Sequence, residues 1–520
     1  MVELSKSEFH PEVYSKLEQI VGKEYVSDDP SIRIVHSRDQ SPFANLKPIP
    51  PEYVVLPEST EQIQEIMKVS NEYKTPVVVQ NTGVNVAGCC VPSGTGWILL
   101  HLRRLNQIIE IDEHNMFATV QPYVNYAELQ AETMKKDLWL PAPASPSTVG
   151  IVSNMLYCGM SWCMVKYGYE RRAIISMTWV TPEGKVIKTG SPSLNDSGNF
   201  WWNGPGPDLK GLLIGSVGEL GICTEMTVKL FPWLGGARLR LKEPPENTNF
   251  YIISYRSGEK MLLGLQELGR ADIATIVTRM PIEWTILGMP KSYEKSKELW
   301  DNKEQLKPLL KNNIFVCIQA ITSQKQLEYG EKVVKQIAKE TKGLVLNPEI
   351  LQKMRPKTMD GIQQEGMFNE FFRARISPRI MRFKGGFMPA FFPQEPIQNS
   401  LKSEKLMEET LKDFPIYPHD LFSSCIVPVD MGHFGLHELD IFYDQNSPEE
   451  LKATLEFAGK IQNLAQSQQN TWPAHNEWKS YHWDVVKEIP EFKIQKSITK
   501  KIKNLFDPNH IMNPGKWFKE

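Results

Sequence analysis

The residues Gln80 to Cys90, QNTGVNVAGCC, follow the β-branched run Val77-Val78-Val79 and contain two glycines, Gly83 and Gly88. A strand that ends in such a loop can turn backbone N–H groups toward a pyrophosphate, because glycine reaches conformations closed to other residues. An ordinary turn fits the same pattern. A second stretch, LPAPASPSTVGIVSNMLYCGMSW, carries Pro141, Pro143 and Pro146, which exclude a helix there. Its small residues Ser147, Thr148, Gly150 and Ser153 would let a backbone lie close against a flat ligand, although a rigid proline-rich loop is the plainer reading. In a third passage Gly215, Gly218 and Gly221 punctuate an apolar run. Far downstream, Trp472, Trp478, Tyr481 and Trp483 are aromatics that suit either an aryl pocket or a packed core.

These stretches need elements to hold them. The segment from Pro51 to Gln80 reads as strand, helix, strand, with Ser59 and Gln62 spaced as a capping box. GWILLHL follows, then an antiparallel pair within IIEIDEHNMFATVQP, a helical run from Tyr126 to Lys136, and a hairpin through IISMTWVTP and VIKTG. From about Asn249 the pattern changes to two strand and helix passages, which imply one antiparallel sheet with helices on one face. The stretch ITKKIKNLFDPNHIMNPGKWF reads as a helix stopped at Asp507-Pro508 and a tail returning to the first domain.

Composition narrows the ligand. The 520 residues exceed what one core normally serves, so at least two domains are expected. With 59 Lys+Arg against 61 Asp+Glu, nothing favours nucleic acid or an acidic membrane, and a small molecule becomes the default. The 7 cysteines lack CxxC spacing and read as reduced, mostly buried thiols. No stretch has the apolar length of a signal peptide or membrane span, so the expectation is a soluble cytoplasmic protein.

Four passages then fall into one order: PVVVQNTGVNVAG, the pair GIVSN and KYG, LKGLLIGSVGELGICTEMTVKLFP and LFDPNHIMNPGK. Together they resemble the vanillyl-alcohol oxidase and p-cresol methylhydroxylase family of flavoproteins, which is related to the GlcD-type glycolate oxidases and the D-lactate dehydrogenases. The resemblance covers nearly the whole chain and implies an α+β fold. Its parts would be an FAD domain over residues 1–235, a substrate or cap domain over 236–495, and a return to the FAD domain over 496–520. It implies that Gln80, Asn81, Thr82, Gly83, Val84 and Asn85 wrap the FAD pyrophosphate. Ser145, Thr148, Val149, Gly150, Ser153, Gly221 and Ile222 would line the rest of the flavin.

Several positions depart from the family pattern. Val84 cannot form the histidyl link some members make there, and Met388 stands where vanillyl-alcohol oxidase has its attaching histidine, so non-covalent FAD is expected. Trp472 and Pro473 replace the Tyr-Arg pair that holds phenolates, and Ser145 falls near the aspartate those enzymes place by the flavin. Asp430-Met431-Gly432-His433-Phe434-Gly435-Leu436-His437 is similar to the HxGDGNxH metal segment of the hydroxy-acid branch, with only His437 in an obvious matching place. Ala474 stands where that branch has its glutamate, so no metal is favoured, although Asp430, His433 and His437 have suitable ligand chemistry.

Flavin chemistry asks for a C–H held over N5 and, for an alcohol, a proton acceptor. His475 is the first candidate, followed by His437 and His433, because imidazole titrates near neutrality. Arg373 or Arg375 suits a substrate carboxylate, and Trp472 with Tyr481 suits an aryl group. The leading expectation is an FAD-dependent dehydrogenase or oxidase acting on an alcohol or activated C–H of an aromatic or apolar molecule. The alternatives are a 2-hydroxy-acid dehydrogenase serving an iron–sulfur, flavoprotein or cytochrome partner, and a flavin-poor scaffold protein within a redox complex. A homo- or hetero-oligomer is expected in each case.

Overall fold

The computed structural model describes residues 11–157, 159–194, 197–237, 245–288, 292–346, 371–372, 385–417, 422–468, 472–473 and 490–516. The N-terminal half begins with a small sheet in which Tyr53–Val55, Ile98–His101 and Val77–Gln80 run parallel, and Val26–Ser27 pairs antiparallel at one edge. These strands are apolar along their whole length because both faces are covered. Val55, Val77, Ile98 and Leu100 pack on Ile63, Ile66 and Met67 of the helix Thr60–Tyr73, while Val54, Val78, Trp97 and Leu99 fill the opposite side. Ser59 caps that helix by accepting the Gln62 N–H at 3.2 Å. The reciprocal half of the expected box is shifted by one residue, since the Gln62 side chain accepts from the Glu58 N–H at 2.9 Å.

A five-stranded antiparallel sheet lies beside it, in the order Ile108–Asp112, Phe117–Val120, Ile222–Lys229, Ile174–Val180, Val186–Lys188. Val180 and Ile222 belong to the core of the first sheet, so the two sheets share a seam. The helix Ile151–Tyr157 packs Val152 and Met155 against Met226 and Val228 of the second sheet. Chain-distant Pro490–Phe506 forms a helix whose exit turn brings Met512 into a parallel bridge with Val77. Val77 N–H donates to Ile511 at 2.7 Å, and Asn513 N–H donates to Val77 at 2.7 Å.

The C-terminal half differs from expectation in one respect. Instead of one sheet there are two antiparallel ones: Ile276–Thr278, Asn313–Gln319, Thr248–Ser254 and Leu344–Leu346 form the first, and the larger second is centred on Phe434–Asp444. An isolated bridge between Arg279 and Ile426 joins them, since Arg279 follows the short strand of the first sheet and pairs with a strand of the second. Helices do cover one face: Leu439, Ile441 and Tyr443 pack against Leu406 and Met407 of Ser400–Leu411 and Phe457 and Ile461 of Pro448–Gln468. On the other face Cys425, Val427 and Leu436 join a core with Trp139, Trp162 and Trp233 from the N-terminal half. The architecture is α+β. Among the described residues, no helix is long and apolar enough to cross a membrane.

Candidate cofactor cleft

Between the two N-terminal sheets runs a cleft of about 890 Å³, counted to its open mouth. The loop after Val77–Gln80, the helix Ile151–Tyr157, the turn before Ile222–Lys229 and the C-terminal return each supply a wall. Asn81, Thr82, Gly83, Val84, Asn85, Ser153, Gly221 and Ile222 all line it.

Side chains fix the loop in place of the glycines that a barer loop would use. Asn81 Nδ2 donates to Pro122 O at 2.5 Å and to Ser153 Oγ at 3.2 Å. Thr82 Oγ1 accepts the Gly150 N–H at 3.2 Å, and Asn85 Oδ1 accepts from Ala87 at 2.9 Å and Cys89 at 3.2 Å. Gly83 has φ +75° with open space where a Cβ would stand, so its bare backbone faces the cleft. Gly221, at φ +130°, could not carry a Cβ, which would meet Val180 O at 2.3 Å and Trp179 Nε1 at 2.4 Å.

The other expected flavin residues lie off the cleft wall. Gln80 is buried, with its Oε1 2.6 Å from His36 Nδ1. Val149 packs in the core, Ser145 is half-buried and Thr148 is exposed. Gly150 acts at one remove, since a Cβ there would stand 2.3 Å from Asn81 Nδ2. Residues that sequence reasoning passed over complete the walls: Pro122, Ser216, Val217, Cys89, Cys90 and Asn513. Asn513 Nδ2 ties Val217 O at 2.7 Å to Cys89 O at 3.1 Å, joining two walls from the third. It sits within the NPGK motif, whose restricted residue types were the available signal. Behind the loop, Lys516 Nζ donates to Gly88 O at 2.6 Å. Burial lowers the Lys516 pKa against the opposing pull of Cys89 and Asp39, and burial raises that of Asp39.

These residues fit FAD. Asn81 Oδ1, Ser216 Oγ and Asn513 Oδ1 are buried polar atoms without hydrogen-bond partners among the described residues, and all three residues line the cleft. Orphaned buried acceptors and hydroxyls are costly unless a ligand meets them, and ribose, ribityl and amino groups would do so. Among the described residues no lysine or arginine lines the cleft, so phosphates there would rest on the N–H groups of the glycine-bearing turns.

The substrate-side candidates are dispersed. His437 is fully buried, with Nε2 2.7 Å from Ser424 Oγ and Nδ1 3.0 Å from Glu395 Oε1, so both nitrogens are engaged within the cap sheet. His433 is exposed on the preceding turn, and Asp430 pairs with Arg172. Among the described residues no cluster of His, Cys, Asp or Glu is placed to hold a metal. The backbone of Trp472 pairs with Gln394, whereas His475, Arg373, Arg375 and Tyr481 lie outside the described residues. Met388 is buried in the helix-covered core.

Comparison with known proteins agrees with this geometry. Residues 51–190 match the family described as FAD binding domain. Glycolate oxidase subunit GlcD of Bacillus subtilis is 34% identical over 224 residues, which is 42% of this chain and 45% of that protein. The chain thus matches less than half the length of that relative. The flavoprotein subunit of 4-cresol dehydrogenase [hydroxylating] from Pseudomonas putida is 23% identical over 99% of this chain and 96% of that one. Among solved structures, 4-ethylphenol oxidase from Gulosibacter chungangensis has the same fold, with a TM-score of 0.79 at 19% identity over 99% and 98% of the two chains. With the FAD-binding profile, the full-length match and the cleft in accord, the chain belongs to the vanillyl-alcohol oxidase and p-cresol methylhydroxylase family of FAD-linked oxidoreductases.

Proposed function

We propose that this chain is an FAD-dependent dehydrogenase or oxidase that removes a hydride from an alcohol or activated C–H group of an aromatic or apolar small molecule. The observation that carries the reading is the cleft wall of Asn81, Ser216 and Asn513, three unmet polar groups brought from distant parts of the chain. FAD, when bound, supplies a two-electron acceptor at the N5 of its ring. Asn81, Thr82 and Asn85 hold the loop that orients it, and no covalent attachment is expected at Val84 or Met388. The cap supplies the substrate side, where His475 would take the hydroxyl proton, Trp472 and Tyr481 would wall an aryl group, and Arg373 or Arg375 would hold a carboxylate. We take residues 1–235, 236–495 and 496–520 as the corresponding FAD, cap and return segments.

The alternative is a 2-hydroxy-acid dehydrogenase that passes electrons to a partner protein. Its support is the 34% identity to a glycolate oxidase subunit, but that likeness stops at 42% of the chain. The cresol-dehydrogenase likeness extends through the cap, over 99% of the chain, and so favours the first reading. That relative is a flavoprotein subunit, which supports an oligomeric state with an electron-transfer partner here too.

Flavin absorption bands in the purified protein, released by acid, are the expected first result; a colourless protein that takes up no FAD would support the scaffold reading instead. Anaerobic addition of aryl alcohols should bleach those bands, with 2-hydroxy acids inert. The reverse order would establish the alternative.

A further inference from the structure

A second cavity, about 700 Å³ counted to its mouth, shares no lining residue with the cofactor cleft. One wall is aromatic: the rings of Tyr167 and Phe231 stand 4.2 Å apart between centroids. Three cations reach it from different elements. Lys166 comes from the helix Met164–Tyr167, Lys229 from the end of Ile222–Lys229, and Arg172 from the turn before Ile174–Val180. Arg172 is paired with Asp430, and the Lys229 ammonium lies 4.6 Å from the Trp202 ring centroid. Lys166 has no ion-pair partner among the described residues.

Glu170, which also lines this cavity, gives the second and independent indication. Its Oε2 accepts hydrogen bonds from the Tyr126 hydroxyl and, at 2.7 Å, from Asn154 Nδ2. Its Oε1 is buried with no partner among the described residues. Burial pushes the Glu170 pKa up to about 8, so at neutral pH the carboxyl is protonated and adds no charge to repel an anion. Because Oε2 already accepts two hydrogen bonds, the proton belongs on Oε1, which becomes a donor.

We propose that this cavity binds a small organic monocarboxylate, with its apolar body against Tyr167 and Phe231 and its carboxylate held by Lys166, Lys229 and the Glu170 Oε1 hydroxyl. Three cations offset by Asp430 suit a monoanion, and the aromatic wall gives an organic acid contacts that an inorganic ion lacks.

The test is calorimetric titration of the FAD-loaded protein with benzoate, and with benzyl alcohol as the uncharged control. Benzoate should bind and benzyl alcohol should not produce the same heat. Lys166→Met combined with Lys229→Met should weaken benzoate at least tenfold, with FAD content and the flavin spectrum unchanged, since neither lysine lines the cofactor cleft. Glu170→Gln, whose amide keeps a donor for the ligand and an acceptor for Tyr126, should bind benzoate nearly as well as the unmodified protein. No heat with benzoate would overturn the proposal. So would undiminished affinity in the double variant, above all with a perturbed flavin spectrum, which would place the acid against the flavin instead.

Discussion

At the scale of single residues, Asn81 has two roles in one amide. Its nitrogen braces the loop against Pro122 and Ser153, and its oxygen is left unmet in a residue that lines the cleft. Asn81→Ala should therefore remove about 1.4 kcal/mol of FAD binding, a roughly tenfold rise in the dissociation constant measured by flavin fluorescence on titrating the apoprotein. An unchanged constant would mean the side chain serves the loop alone. Glu170 makes a prediction about pH. Its pKa is pushed up to about 8 by burial, against about 4.3 in an unfolded chain, so the native state keeps a proton that the unfolded chain has released between those values. Its contribution to stability is whole below pH ~4.3 and falls as pH rises toward 8. Glu170→Gln should abolish that slope, and urea unfolding at pH 5 and pH 8 should show its advantage over the unmodified protein growing by a few kcal/mol. A constant difference at both pH values would refute the assignment. The sequence showed that Gly221 and Gly150 were small. It could not show why, since the atoms that forbid a Cβ are Val180 O and Asn81 Nδ2, each fixed by tertiary packing.

Elements were easier to read than their partners. The strand, helix, strand unit from Tyr53 to Gln80 was visible in periodicity, because parallel strands buried on both faces leave an unbroken apolar run. The division of the cap into two sheets was not, since it turns on where Arg279 pairs with Ile426, and alternation within a strand does not encode that choice. His437 illustrates the same limit: its type suggested chemistry, but strand parity turned it toward Glu395 and Ser424. The return element rests on one buried carboxylate. Asp507 accepts the Ile511 N–H at 3.1 Å, the Met512 N–H at 2.8 Å and Lys503 Nζ at 2.7 Å, and Lys503 also donates to Glu219 O at 2.8 Å. Asp507→Ala would strand a buried ammonium and two N–H groups, so a loss of about 3–5 kcal/mol is expected in denaturant unfolding. FAD retention on gel filtration should fall with it, because Asn513 follows directly; full retention would separate the return from the cleft.

Across the whole molecule, the hairpin turn at Asp430 docks on the N-terminal half through two kinds of contact. Backbone bonds join Asp430 to Met164 at 3.2 Å and Met431 to Val165 at 2.8 Å, and Arg172 adds its ion pair. Since the Arg172 side chain is 61% exposed, Arg172→Ala should change stability by less than ~1 kcal/mol, with a melting temperature that stays near the unmodified value in low and high salt. A large fall would reveal that charge, rather than backbone and apolar contact, holds the halves together. The bond from Asn513 to Cys89 closes the cofactor cleft across 424 residues of sequence. At ~5–20 residues per second, a ribosome finishes that wall roughly 20–85 s after it makes the loop. For that interval the nascent N-terminal sheets present a three-walled cleft, so cofactor capture becomes a late step of biogenesis, dependent on the last stretch of chain to emerge.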